Sequence, residues 1–254
     1  MESIQLTIQI SRTSVLVAEV LRSSQEIRSS KYLTFENTNP AAYKGQLDEL
    51  LQSGGFTAAY DEVTLGWSSM IHSLVPMRVY NDTNASDLIR LLFGDAVEEG
   101  EPNFNRLAEL NMVSVYTLPD WVKSFFVMRF PGILVKHEHA MTLRALFQGP
   151  TYKLKVVVSL CSTYMNIAII EKNELKFSNA FEFQNEEDIL YHLLYVLEQK
   201  GIKEEKGELL FIIESDSDKS FSEKTVKRIK EHSLLKNFDL YEPKKSILNQ
   251  LLCV

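Results

Sequence analysis

The sequence predicts an α/β protein with two similar domains, each a mixed sheet with helices on both faces. The first observation is an internal repeat, because residues 6–20 resemble residues 156–170. The aligned pairs are Ile10 with Leu160, Thr13 with Thr163, Val17 with Ile167 and Ala18 with Ala168. The second observation is that strands joined by tight turns precede strands that need helical crossovers, which together give a mixed sheet. We expect domains over residues 1–150 and 151–254, with a cleft between them.

The first half begins with alternating apolar and polar residues, typical of a strand over Ile4–Ile10. The polar turn Ser11–Ser14 then leads into a second strand, and Gly54-Gly55 ends the first helix. The predicted strands are Ile4–Ile10, Val15–Leu21, Ile27–Glu36, Glu62–Trp67, Val75–Val79, Met112–Leu118 and Ile133–His139. The predicted helices are Tyr43–Leu51, Ser86–Phe93, an apolar helix within Pro119–Phe130, and Ala140–Phe147.

The second half repeats this order. Asn185 predicts the N-cap of a helix whose first turn is acidic, which suits the positive end of the helix dipole. The predicted strands are Lys153–Leu160, Met165–Glu171, Leu175–Phe183, Glu208–Ile213 and Phe238–Tyr241. A helix with a capping-box spacing follows Ser220, and a last helix covers Ser246–Leu252. The strand Phe238–Tyr241 is aligned with Met112–Leu118.

Net charge, cysteine content and hydropathy exclude some classes of function. The chain has 254 residues and a formal net charge of −7, which argues against a dedicated nucleic-acid-binding protein. Two cysteines at unrelated positions, Cys161 and Cys253, form no disulfide framework or metal motif. With no signal peptide and no apolar run long enough for a transmembrane helix, we expect a cytoplasmic protein.

The repeated hairpins carry a family resemblance. Residues 159–177 read SLCSTYMNIAIIEKNELKF, and the helix at 140–147 reads AMTLRALF. Both resemble the actin-like ATPase (ribonuclease H-like) superfold, and most closely the bacterial actin-like proteins of type IV pilus assembly and cell division. The sequence also resembles an uncharacterised bacterial family assigned the same fold. The resemblance implies an ATP site formed by the turns of the two hairpins.

The residues at the phosphate-binding positions differ from that family. Where it has an Asp and a Gly in each hairpin, this chain has Gln9 and Ser11, then Ser159 and Cys161. Uncharged Gln and Ser do not supply the anionic charge that holds a divalent cation, and a side chain at the Gly position crowds a phosphate. We therefore expect no cofactor. ATP with magnesium is expected only under the alternative that the chain is a phosphoryl-transfer enzyme with an atypical site.

The hairpin turns still contain candidate ligand-binding groups. These are Arg12, Thr13 and Ser14 in the first turn and Ser162 and Thr163 in the second. They suit either a residual anion or nucleotide site or an ordinary hairpin turn, and the turn interpretation is preferred.

Other segments have weaker signals. The acidic segment 214–218 lacks the EF-hand pattern, and His137 and His139 have metal-ligand spacing without a third ligand, so we expect them to be partly exposed. The apolar helix within Pro119–Phe130, with Trp121, Phe125 and Met128 at helical spacing, and the last helix could contact a partner or membrane. We expect each to pack on its own domain's sheet.

The sequence thus favours a non-catalytic, cytoplasmic protein that binds an unidentified protein partner and no nucleic acid. Segment 214–218, the stretch Trp67–Met70 and strand Val75–Val79 are the predicted partner-facing regions.

Overall fold

The computed structural model describes residues 3–36, 40–56, 60–94, 100–149, 152–202, 206–213, 219–231 and 237–252. The strands are β1 (Ile4–Ile10), β2 (Ser14–Leu21), β3 (Glu26–Thr34), β4 (Glu62–Trp67), β5 (His72–Pro76), β6 (Glu101–Leu107), β7 (Met112–Leu118), β8 (Leu134–His137), β9 (Lys155–Leu160), β10 (Tyr164–Glu171), β11 (Glu174–Glu182), β12 (Gly207–Ile213) and β13 (Phe238–Lys245). The helices are α1 (Pro40–Ser53), α2 (Ala85–Phe93), α3 (Asp120–Arg129), α4 (Glu138–Phe147), α5 (Glu186–Gln199) and α6 (Lys219–Glu231), and a 3₁₀ helix spans Ser246–Leu252.

The chain divides into two compact units. The first contains the residues up to Ala145 and the C-terminal residues from Ile247 onward, and the second contains Leu146–Ser246. Within the described residues, no helix is long and apolar enough to cross a membrane.

The first unit contains a five-stranded mixed sheet in the order β3-β2-β1-β4-β8. β1 and β2 pair antiparallel, as do β2 and β3, whereas β1, β4 and β8 run parallel. The apolar residues of β1 lie on one face, where Ile8 packs in a core with Leu47 of α1 and Phe126 of α3. The period-two alternation of β1 separates this apolar face from the opposite face, whose polar residues are also buried.

A second, antiparallel sheet in the first unit has the order β5-β7-β6. Its Val113 and Val115 pack against Ile89 of α2. Strand β6 had no sequence-based prediction, because its polar residues and Pro102 are atypical of a strand. The predicted strand Val75–Val79 is displaced, since β5 covers His72–Pro76.

The second unit contains a five-stranded sheet in the order β11-β10-β9-β12-β13, with the same strand directions as the first. Strand β13 pairs with β12 as β8 pairs with β4. The alignment of Met112–Leu118 with Phe238–Tyr241 was therefore wrong, because Met112–Leu118 is β7 of the additional sheet. The position equivalent to β13 belongs to the short strand β8.

Two predictions about apolar helices need correction. In α3, Val122, Phe125 and Phe126 are buried, whereas Met128 is 75% exposed, so the core-facing stripe is rotated from the predicted one. The C-terminal segment is a 3₁₀ helix, and its Ile247 and Leu251 pack with Leu16, Ala18 and Val20 of the first unit. It therefore does not pack on the sheet of the half that precedes it, as the repeat had suggested.

Candidate functional site

Polar residues collect at one edge of the first sheet. The turn Ser11–Ser14 follows β1, Ser68 and Ser69 follow β4, and His137 ends β8. Because these three strands run parallel, their C-terminal ends lie at the same edge. Open α/β sheets bind ligands at this edge, so these residues form the candidate site.

The first hairpin turn uses its own hydrogen-bond donors. Ser11 Oγ accepts hydrogen bonds from the backbone N–H groups of Thr13 at 3.2 Å and Ser14 at 3.1 Å. The Ser11 N–H donates to the Ser14 carbonyl at 2.9 Å. Arg12 and Thr13 are exposed at the tip of the turn, and Ser14 is buried. The N–H groups of Ser11, Thr13 and Ser14 are therefore engaged inside the turn.

Gln9 stands where the resembling family has its acidic residue. It is 1% exposed, and its amide nitrogen donates to Ser68 Oγ while its oxygen accepts from Gln250 Nε2 at 2.9 Å. A Cβ at Gly66, on the neighbouring strand, would displace the side-chain ends of Gln9, Met141 and Gln250, which pack closely over this glycine. The Gln9 side chain is thus held on both sides.

Gln250 extends this set of contacts across the sheet. Its Nε2 also donates to the Ile8 carbonyl at 3.0 Å, and its Oε1 accepts from Thr64 Oγ1 at 2.7 Å. Thr64 Oγ1 in turn accepts from Gln5 Nε2 at 3.0 Å. We call Gln5, Gln9, Thr64, Ser68 and Gln250 the glutamine network. Sequence reasoning missed it, because Gln250 lies about 240 residues from its β1 partners.

Three histidines form a second buried group at the same edge. We call His72, His137 and His139 the histidine cluster. The ring centroid of His72 lies 4.3 Å from that of His137 and 5.0 Å from that of His139. The Ser69 carbonyl lies 3.0 Å from His72 Nδ1 and 3.0 Å from His137 Nε2. His137 Nδ1 accepts from the His139 N–H at 3.2 Å, so the His137 proton sits on Nε2.

The environment keeps these histidines neutral. Burial lowers the pKa of His72 to about 4 despite its backbone hydrogen bonds. Burial, and then His72 and His139, lower the pKa of His137 well below its usual value, and burial followed by His72 does the same for the pKa of His139. Charging any one of them would place a cation among buried neighbours.

The prediction of two partly exposed histidines on a strand was wrong. His137 and His139 are 0% and 1% exposed, and His139 lies in the first turn of α4. His72, from β5, is the third histidine that the spacing alone did not reveal. Among the residues that the structure describes, no group of three or more His, Cys, Asp or Glu could hold a metal ion.

A hydrogen bond of His137 also joins the β5-β7-β6 sheet to the main sheet of the first unit. Asn105 of β6 accepts from the His137 N–H at 2.7 Å, and its amide nitrogen lies 3.4 Å from the hydroxyl of Tyr116 on β7. Burial raises the pKa of Tyr116, which keeps its hydroxyl protonated. This edge of the first unit is therefore filled by buried side chains of the main and the additional sheet.

The second hairpin turn has the same backbone pattern. Its Cys161 N–H donates to the Tyr164 carbonyl at 2.9 Å, as Ser11 does to Ser14. Ser162 and Thr163 are exposed at its tip. The structure thus groups Arg12, Thr13 and Ser14 in one turn, and Ser162 and Thr163 in another, each within its own unit.

A pocket of about 610 Å³ adjoins this second turn. Its lining residues are Thr163, Glu182, Phe183, Gln184, Asn185, Asp188 and His192. Asn185 Oδ1 accepts from the Asp188 N–H at 3.0 Å, and Asp188 Oδ2 accepts from the Gln184 N–H at 2.8 Å, so the predicted N-cap shapes one wall.

The predicted partner-facing regions differ in burial. Trp67, Ser68 and Ser69 are buried, so that stretch is not an interaction surface. Val75 is buried and Val79 is 53% exposed. The acidic segment 214–218 lies outside the described residues.

Comparisons with known proteins identify the fold. Residues 1–231 match the model of a family described as "Protein of unknown function (DUF3822)". A crystal structure from Bacteroides thetaiotaomicron VPI-5482, described as a protein with actin-like ATPase fold and unknown function, superposes with a TM-score of 0.78 at 18% identity. It covers 100% of this chain and 96% of that one. No curated protein matches the sequence.

A second solved structure is the PilM-PilN type IV pilus biogenesis complex. The matched chain superposes with a TM-score of 0.60 at 12% identity, covering 95% of this chain and 88% of that one. These similarities confirm the predicted α/β class and the actin-like ATPase fold.

Proposed function

We propose a non-catalytic, protein-binding role for this chain, which belongs to the family described as "Protein of unknown function (DUF3822)". The proposal has two parts: the site that hydrolyses ATP in actin-like ATPases is converted to structural use here, and the fold is retained for recognition.

The first hairpin turn carries the proposal. In phosphate-binding loops, successive backbone N–H groups point at the anion. Here the side chain of Ser11 takes those of Thr13 and Ser14. Gln9, at the acidic position, is uncharged and bonded to Ser68 and Gln250. A magnesium-nucleotide complex would find an uncharged side chain at the metal-ligand position and the Thr13 and Ser14 N–H groups already bonded to Ser11.

Protein binding is supported by the fold comparison. The PilM-PilN structure, which shares this fold, is a complex between proteins. A fold does not by itself fix a function, so this support is by analogy.

Two further points belong to the same proposal. The two main sheets share strand order and direction, and both hairpin turns close with the same backbone bond, which supports origin by duplication. Cys161 is a buried thiol, as expected in a reducing compartment, which supports the cytoplasm as the location.

Calorimetry tests the catalytic part. Titration with ATP and magnesium up to about 1 mM should give no saturable heat. Any binding would then be weaker than a Kd of about 1 mM, which corresponds to a binding free energy of roughly −4 kcal/mol. Micromolar binding that Arg12→Ala or Thr13→Ala weakens would instead support the alternative, a nucleotide-dependent phosphoryl-transfer enzyme.

Affinity capture tests the binding part. The tag belongs at the N-terminus, because Ile247 and Leu251 pack into the first unit and a C-terminal tag would lie next to them. We expect a reproducible protein partner whose capture does not change when ATP is added. Capture that required ATP would contradict the non-catalytic proposal.

A further inference from the structure

A row of five aromatic rings runs along the surface of the second unit, from β11 onto α5. The aromatic row consists of Phe177, Phe181, His192, Tyr191 and Tyr195. Successive ring centroids lie 6.4, 4.8, 5.3 and 6.0 Å apart. Tyr191 and Tyr195 are 63% and 48% exposed, so the α5 end of the row faces solvent. Phe177 and Phe181 are half-buried and pack on the core, so the exposed part of the row is the stacked pair Tyr191 and Tyr195. Exposed tyrosine rings are enriched at protein interfaces.

The other end of the row already holds a cation. The ammonium of Lys200 lies 4.9 Å from the centroid of Phe177. Aromatic faces attract cations because of the negative potential over the ring. The protein thus uses one end of this row for cation binding, while Tyr191 and Tyr195 at the other end have no cation over them among the described residues.

Carboxylates lie beside the exposed end. Glu182 and Asp188 line the pocket of about 610 Å³ together with His192, which belongs to the aromatic row. Neither carboxylate forms an ion pair within the described part of the chain, whereas neighbouring Glu187 is paired with Arg228 at 2.7 Å. On α5, Asp188, Tyr191 and Tyr195 stand at i, i+3 and i+7, a spacing that places side chains on one face.

We propose that this pocket and the exposed end of the aromatic row bind a lysine- or arginine-bearing segment of a partner protein. The inference rests on the proposed protein-binding function and names the chemistry of the partner. A cationic side chain would enter the pocket beside Glu182 and Asp188, and a second would stack on Tyr191 or Tyr195. Such a surface repels phosphate groups, which excludes nucleic acid as the occupant.

Peptide titrations test the proposal. The probes are a labelled octapeptide of alternating arginine and glycine, the matching glutamate peptide, and spermidine. Fluorescence anisotropy reports affinity, and backbone NMR locates the site. We expect saturable, salt-sensitive binding of the arginine peptide only, with shifts at Thr163, His192 and Tyr195.

Matched variants locate the binding energy. Glu182→Gln should weaken arginine-peptide binding about two- to fivefold, the range of an exposed ion pair. Glu174→Gln removes an exposed carboxylate from the other end of the same strand and should leave the affinity unchanged. Tyr195→Ala should weaken binding about two- to fivefold through the lost cation–π contact, and Tyr152→Ala, at a 71% exposed tyrosine, should not.

Several results would overturn the proposal: no saturable binding, equal binding of the glutamate peptide, or equal losses in the control variants. Tighter binding of spermidine at the same residues would replace the protein segment with a polyamine. Captured partners that remain bound to Glu182→Gln/Tyr195→Ala would place the interface elsewhere and leave the proposed function intact. Failure to capture any partner with the unmodified chain would count against the proposed function itself.

Discussion

The two main sheets have one topology but place their polar residues differently. In the first, Gln5, Thr7 and Gln9 line one face of β1 and are buried. The equivalent strand of the second sheet has Lys155, Val157 and Ser159 at those positions. The first unit therefore buries a hydrogen-bonded network where the second has a half-buried lysine, a buried valine and a buried serine.

The surfaces differ in the opposite sense. The second unit exposes stacked Tyr191 and Tyr195 beside an acidic pocket. In the first unit, the histidine cluster and the glutamine network are buried. A buried polar group costs free energy unless it is hydrogen-bonded, as Gln9 is to Ser68 and Gln250. The comparison indicates that the sheet edge used for ligands in other α/β proteins has become part of the core in the first unit.

The largest expected difference between the two units is the loss of stability at low pH, because the histidine cluster lies in the first unit. In the unfolded chain the histidines have pKa values near 6.5, whereas in the folded protein the pKa of His72 is about 4 and those of His137 and His139 are also lowered. Below pH 6.5 the unfolded state binds more protons, so stability is complete above that pH and is lost as pH falls toward 4. Each histidine contributes a slope of about 1.4 kcal/mol per pH unit.

The two tryptophans make this measurable. Trp67 and Trp121 both lie in the first unit, so their fluorescence during urea unfolding reports that unit alone. We expect the free energy of unfolding to fall by about 3 kcal/mol between pH 6.5 and 4 from His72 alone. His72→Gln should reduce the pH slope by about one proton. A stability that stays constant from pH 7 to pH 5 would contradict the assigned burial of the cluster.

The C-terminal segment offers the next largest effect. Ile247 is fully buried against the first sheet, so Ile247→Ala should cost about 2–5 kcal/mol in tryptophan-detected unfolding. Gln250→Ala leaves the Ile8 carbonyl and Thr64 without their partner and should cost about 1–3 kcal/mol.

Two surface variants are the matched controls for these losses. Leu91→Ala, at an 81% exposed position, and Gln199→Ala, at an exposed position in the second unit, should change the same signal by less than about 0.5 kcal/mol. If Ile247→Ala were as mild as Leu91→Ala, the segment would not stabilise the first unit.

The sequence predicted the main sheets because their strands carry strong local signals. The alternation in β1 and the turn Ser11–Ser14 depend on neighbouring residues only. The N-cap at Asn185 is equally local, and its side chain does accept from Asp188 as predicted.

Long-range features were not predictable in this way. Alternation showed two faces of β1 but not that the face with Gln9 is covered by Gln250. His72 reaches His137 through the pairing of β5 with β7 and the hydrogen bond that the His137 N–H donates to Asn105, neither of which has a local pattern. The insertion of the β5-β7-β6 sheet also caused the incorrect alignment of β7 with β13.

The smallest predicted effect concerns the two hairpin turns, where the units are most alike. Ser11→Ala removes the acceptor for the Thr13 and Ser14 N–H groups, and Ser14 is 5% exposed, so water replaces the lost bond poorly. We expect a loss of about 1 kcal/mol in the tryptophan-detected unfolding of the first unit. Ser23→Ala, at an exposed turn of the same sheet, should be neutral. Ser11→Ala also leaves the Thr13 and Ser14 N–H groups without their Ser11 acceptor. Because Gln9 still supplies no charge for magnesium, calorimetry with ATP should show no saturable heat. Saturable ATP binding by Ser11→Ala would show that the serine alone had closed the turn to phosphate, and that Gln9 is compatible with a nucleotide.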